Sequence, residues 1–378
     1  MNKSNSSSLK ELAKLFIKLG TIGFGGPAAH IAMMQDEIVK KRKWMDEQHF
    51  LDLIGATNLI PGPNSTEMAI HVGHERAGWK GLIVAGLCFI LPAVIITVIF
   101  AVLYKQYGQL PQLQPFIYGI KPAIIAVIIA AVYPLARKSL KSVELWSIGI
   151  IALILCLMNI NEIFVLFGAG FFALVLAAMK NKSNQTTNGI FPFAFIQATG
   201  TGFLGAGSFS LFFTFLKIGA ILYGSGYVLF AFLDTELVAK GIITRHQLMD
   251  AIAVGQFTPG PLFSSVTFVG YQISNFKGAI LATVGIFLPS FLFVALLNPL
   301  VRKMRNSKLA SVFLDAVNVA SIAIIAAICY KMGKESISDW RTIVIVFTGL
   351  AVVFGFKKIN SALIVLGGAA LGYLLSFI

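Results

Sequence analysis

Asn58-Leu-Ile-Pro-Gly-Pro-Asn-Ser-Thr66 is echoed further on by Gln256-Phe-Thr-Pro-Gly-Pro-Leu-Phe-Ser264, and both copies lie in apolar surroundings. Pro61-Gly62-Pro63 and Pro259-Gly260-Pro261 each stop a helix that enters them, because proline lacks an N–H and glycine relaxes the backbone. The residues that follow can begin a new helix. Asn64, Ser65 and Thr66 in the first copy, and Ser264 and Ser265 in the second, are capping types. A helix interrupted within a bilayer leaves backbone groups unpaired, and this is tolerated only where protein buries them or a polar cavity receives them. Two interruptions in matching positions of two halves are the sequence mark of a transport site.

The composition fits that reading. The 378 residues are 57% hydrophobic and 12% charged, with a mean hydropathy of +0.83. A soluble domain carries about twice that charge, so the chain is expected to be a polytopic membrane protein with the lipid bilayer as its surroundings. The net charge of +14 does not make it a nucleic-acid binder. Its Lys and Arg residues sit in short loops, where they orient helices across the bilayer, rather than in a basic stripe interleaved with aromatics. Cys88, Cys156 and Cys329 all lie in apolar spans and read as small core residues. Lys14 and Lys18 interrupt the first apolar run, which therefore does not read as a cleavable signal.

From the two Pro-Gly-Pro sites a repeat extends outward. Phe16-Ile-Lys-Leu-Gly20 answers to Phe215-Leu-Lys-Ile-Gly219, Leu91-Pro92 to Leu288-Pro289, and Ala126–Tyr133 to Ala323–Tyr330, all in one order. This predicts an N-terminal transport repeat over residues 1–182 and a C-terminal one over 208–378. The polar linker over 183–207 would carry an extra crossing at roughly 191–207. Loop charge sets the relative orientation. Lys40 to Lys43 are four cations, whereas the matching stretch at 234–246 is mixed. Conversely, Lys105 stands alone where the second half has Arg302, Lys303, Arg305 and Lys308. By the positive-inside rule the two repeats are inverted. The fold expected is all-α: two inverted-topology repeats with broken, re-entrant helices at the Gly-Gly-Pro and Pro-Gly-Pro motifs.

Gly25-Gly26-Pro27, the two Pro-Gly-Pro sites and their long flanking contexts resemble the chromate ion transporter family in its long, two-repeat form. The resemblance covers nearly the whole chain. It implies export of chromate, with sulfate as a close analogue, across the inner or plasma membrane. One departure is Gly224-Ser225-Gly226-Tyr227, where that family often has a third glycine.

The residues suit such a substrate. A divalent tetrahedral oxyanion needs several N–H or O–H donors and positive potential away from water, and helix N-termini supply both. Ser65, Thr66, Ser264 and Ser265 would add hydroxyls, or would only cap their helices. Lys18 and Lys217, matched cations beside the glycine-rich breaks, either attract the anion or snorkel to headgroups. Asn58 and Gln256 are expected to satisfy backbone freed by the breaks. Asp52 and Asp250 match one another and are candidates for ion coupling, with capping or lysine pairing as the competing role. Glu67, without a counterpart, is a candidate proton carrier or an interhelical hydrogen-bond partner. Lys121 is expected to snorkel. His71, His74 and Glu75 lack the His-Glu-x-x-His order of a zinc enzyme, so neither a metal site nor any cofactor is expected. With no Walker motif and no nucleophile–base pair, the expectation is a secondary transporter and not an enzyme. A transporter or channel for another small anion is the alternative. The oligomeric state is open, a homodimer being the assembly to test.

Overall fold

The computed structural model describes residues 3–108, 110–180, 208–304, 307–356 and 359–377. The linker at 183–207, including the crossing expected at roughly 191–207, lies outside the described residues. Every element among those described is helical. In chain order they are α1 (Lys3–Ile22), α2 (Gly26–Gln35), α3 (Glu47–Thr57), α4 (Asn64–Tyr107), α5 (Gln114–Ser139), α6 (Val143–Leu157) and α7 (Glu162–Lys180). The second half continues with α8 (Ser208–Ile221), α9 (Val228–Leu233), α10 (Arg245–Phe257), α11 (Ser265–Met304), α12 (Lys308–Ser336), α13 (Trp340–Gly355) and α14 (Ser361–Leu375). Among the described residues, five segments are long and apolar enough to cross a membrane, and four shorter helices are also apolar. The chain is a multi-pass membrane protein.

Two of these elements are really hairpins. In α4 the helix breaks at Ala77 and Gly78, with Gly78 at φ 58° and ψ −147°; in α11 it breaks at Ser274 and Asn275, with Asn275 at φ 51° and ψ −145°. Glycine lets the two arms touch. A methyl on Gly73 would lie 2.3 Å from the Gly81 carbonyl oxygen, and one on Gly270 would lie 2.3 Å from that of Gly278. Each hairpin therefore has a short first arm and a long second one. The second arm of α4, over 79–107, is about 43 Å long at 1.5 Å per residue, enough to span a bilayer.

The halves are built alike and exchange partners. Helix α1 packs on α4 as α8 packs on α11, and α4 packs on α11 at the centre. Gly20 meets the Phe89 carbonyl and Gly219 the Ile286 carbonyl, so the same close approach recurs in both. Outside this core, α6 and α7 of the first half pack on α12 of the second, while α13 and α14 of the second pack on α5 of the first. Such reciprocity is what a two-fold relation produces. The direction of the central helices follows from two contacts. Gly86 of α4 abuts the Phe291 ring of α11, and Lys105 near the end of α4 donates to Asn275 Oδ1 at 2.7 Å. As α4 advances from 86 to 105, its neighbour retreats from 291 to 275. Equivalent long arms thus run antiparallel.

Candidate functional site

Helix α3 ends at Thr57 and α4 starts at Asn64; α10 ends at Phe257 and α11 starts at Ser265, after one 3₁₀ turn at Leu262–Ser264. The Pro-Gly-Pro sites fill these gaps, with Gly62 at φ 135° and Gly260 at φ 90°, values open to glycine. The glycine-rich stretches fill the other two gaps. After α1, Gly25 and Gly26 have φ 105° and 76°, and Pro27 enters the first turn of α2. After α8, Gly224 has φ 94°, while Ser225 Oγ accepts from the Tyr227 N–H at 3.4 Å and Gly226 packs by Leu262.

Each gap of one half is bonded to a gap of the other. The Gly62 N–H donates to the Leu222 carbonyl at 2.8 Å, and the Gly260 N–H donates to the Gly23 carbonyl at 2.7 Å. Packing repeats the exchange: a methyl on Gly62 would lie 2.6 Å from Ser290 Oγ, and one on Gly260 would lie 3.0 Å from Ala93 Cβ. This explains why Asn58 and Gln256 do not serve the freed backbone as expected. The backbone of the opposite half already does so, and both amides turn to side chains. Asn58 Oδ1 accepts from Asn64 Nδ2 at 2.7 Å, and Gln256 Nε2 donates to Tyr227 Oη at 3.3 Å.

The capping expectation also fails. The N-cap of α4 is Pro63, with no side-chain cap, and its carbonyl receives the N–H groups of Thr66 and Glu67 at 2.8 and 3.0 Å. The hydroxyls are left over. Thr66 Oγ1, Ser264 Oγ and Ser265 Oγ have no protein hydrogen-bond partner, although these residues are at most 1% exposed. Ser65 is equally buried. Glu67, fully buried, accepts from Ser290 Oγ at 3.3 Å through Oε1, while Oε2 has no partner. One turn further on, both ring nitrogens of buried His71 are unpartnered. Buried polar groups are as a rule hydrogen-bonded. Here the exceptions, His30 Nδ1 on α2 apart, gather in the first two turns of the helices that follow Pro-Gly-Pro.

The matched lysines are occupied otherwise. Lys18 Nζ binds Glu37 Oε1 at 2.8 Å, and Lys217 Nζ binds Glu236 Oε1 at 2.7 Å. Lys41 joins the first pair at 3.3 Å and Lys240 the second at 2.5 Å. Both carboxylates sit in a single π-helical turn, Asp36–Lys41 and Asp234–Val238, which follows α2 and α9 respectively. The Lys18 ammonium, with Lys41, holds Glu37 below its ordinary value. Burial pushes Glu236 up, but hydrogen bonds from Lys217 and Lys240 outweigh it and the net shift is downward. These two carboxylates are missing from the sequence reading, yet each stands at the same offset as its lysine. Extending the repeat alignment to charged positions would have found them.

Three further candidates lie apart from the unpartnered groups. Asp250 is buried and accepts from Tyr104 Oη at 2.5 Å, with Lys121 and His246 within electrostatic reach. Asp52 is half-buried and accepts from Gln48 at 3.1 Å. Lys121 contacts His246 Nδ1 at 3.1 Å. Among the described residues there is no cluster of His, Cys, Asp and Glu that could hold a metal ion.

A family model described as "Chromate transporter" matches residues 10–174 and again residues 209–373. The chain belongs to the chromate transporter family. The two matched segments fall on the two halves that exchange partners in the structure. A "Probable chromate transport protein" of Synechococcus elongatus is 31% identical over 97% of this chain and 95% of its own. A "Chromate transport protein" of Cupriavidus metallidurans is 29% identical over 97% and 92%, and one of Pseudomonas aeruginosa 27% over the same shares. No solved structure matches. Membership of a chromate transporter family accords with a membrane protein that moves a solute rather than one that transforms it.

Proposed function

We propose that this chain is a secondary transporter that exports chromate, and sulfate as its analogue, across the plasma or inner membrane. The oxyanion sits between the helix starts that follow the two Pro-Gly-Pro sites. The observation that carries this reading is the set of buried, unpartnered hydroxyls at Thr66, Ser264 and Ser265. Each is a donor, and each stands at a helix start whose dipole favours an anion. Gly25, Gly26, Pro27, Gly224, Ser225 and Gly226 would close the site from the opposite gaps, which are bonded to the Pro-Gly-Pro glycines. The gaps are read as re-entrant breaks at membrane depth, tolerated because they are buried in protein. Lys18 and Lys217 would act at a distance, by positive potential near the breaks, their ammonium groups being held by Glu37 and Glu236. Outward movement of a dianion is favoured by an inside-negative potential, by about 2.3 kcal/mol per charge per 100 mV. Purified protein in liposomes should pass chromate at a rate that rises with the imposed potential and falls when sulfate competes. Chromate flux equal to that of protein-free liposomes would refute the reading, and flux of other anions with chromate excluded would move it to another substrate.

A further inference from the structure

The proposed site holds one group that ought to repel its substrate. Glu67 is the fourth residue of α4, directly after the unpartnered hydroxyl of Thr66, and a methyl on Gly62 would lie 2.2 Å from its Oε1. In the second half the equivalent position is Ser265, so the carboxyl is a departure from the repeat. Facing it are Ser290 from α11 and Tyr223 from the stretch between α8 and α9, with His71 next along α4 itself. None of these is a lysine or arginine, and among the described residues Glu67 has no cationic partner.

An ionised carboxylate beside a dianion, both shielded from water, is excluded by mutual repulsion and lost hydration. The protonated acid has the opposite character. Its O–H on the unpartnered Oε2 is one more donor for an oxyanion, matching the hydroxyls around it. We infer that Glu67 is a proton-binding site, and that the oxyanion and a proton taken up on this carboxyl bind together. This rests on the oxyanion reading above. Asp52 and Asp250 are poorer candidates for coupling, since Asp52 accepts from Gln48, and Asp250 accepts from Tyr104 and lies near Lys121 and His246.

Sulfate is the probe, because it remains a dianion across neutral pH whereas chromate does not. Sulfate binding to the full chain in lipid nanodiscs should weaken as pH rises, by up to about tenfold per unit once Glu67 ionises. In weakly buffered solution, at a pH where binding falls about tenfold per unit, each bound sulfate should take up one proton. Glu67→Gln keeps a donor and removes the titration, so it should bind sulfate with no pH dependence and no proton uptake, while His71→Gln should keep both. Sulfate binding by the unaltered protein with neither pH dependence nor proton uptake at any pH would overturn the inference and leave the oxyanion site standing. An unchanged pH slope in Glu67→Gln would do the same. No sulfate binding at any pH would overturn the oxyanion reading itself. Should the glutamine variant fail to fold, proton uptake by the unaltered protein still decides.

Discussion

At the scale of single residues, the two halves use glycine where the backbone must turn and also admit a neighbour. Gly62 combines φ 135° with a carboxyl and a hydroxyl where a side chain would go, at 2.2 and 2.6 Å from the position of a methyl. Gly62→Ala should therefore cost roughly 1–3 kcal/mol in backbone strain alone, and it should stop chromate flux by displacing Glu67. Gly168→Ala is the control: nothing lies within 4 Å of the added methyl, and the site is a helix interior. It should leave flux and thermal stability unchanged or slightly raised. Equal tolerance of the two substitutions would show that the first gap is not as tightly fitted as its geometry requires.

At the scale of elements, a matched clip ties α1 to the π-helical turn after α2, and α8 to the turn after α9. Lys18, Glu37 and Lys41 recur as Lys217, Glu236 and Lys240. Both carboxylates titrate below the ordinary value of 4.5. Depressed carboxylates add stability that is fully present above that value and is lost as pH falls through the lower, folded-state value. Thermal melting from pH 6 to pH 3 should show an acid-side fall that is smaller in a Glu37→Gln, Glu236→Gln double variant. An identical fall in both proteins would mean that the clips contribute nothing, as exposed ion pairs often do. The clips also mark the limit of what the sequence reveals. Proline and glycine act on their own backbone, so the ends of α3 and α10 at Thr57 and Phe257 were legible from Pro-Gly-Pro alone. Partner choice was not legible, because it depends on where distant segments meet. Lys18 finds Glu37 across a glycine-rich break, and Asn58 is released from its expected role by a carbonyl at Leu222. Of the two hairpin turns, the one at Ala77-Gly78 falls between Arg76 and Lys80, the charges that close the first re-entrant hairpin in the sequence, whereas the one at Ser274-Asn275 was not legible, because a single asparagine carries no proline signal.

At the scale of the whole molecule, two halves with antiparallel central arms exchange outer helices and close each other's gaps. If the two-fold axis lies in the membrane plane, the basic segment at Lys40–Lys43 and the mixed segment at 234–246 face opposite sides. Single cysteines at Arg42 and Lys240 should then be labelled by an impermeant reagent from opposite sides of the membrane. Labelling of both from one side would contradict the inverted arrangement. The central claim is that an oxyanion is held by hydroxyls and helix starts contributed by both halves, and sulfate binding to purified variants tests it most directly. Thr66→Val removes a buried hydroxyl from the first half, and Ser264→Ala with Ser265→Ala removes two from the second. Each lost hydrogen bond to a charged partner is worth about 1.5–3 kcal/mol. Affinity should therefore fall by about ten- to a hundred-fold for each hydroxyl removed, in variants of either half, while the folded protein persists. Sulfate affinity unchanged in both sets would contradict the account.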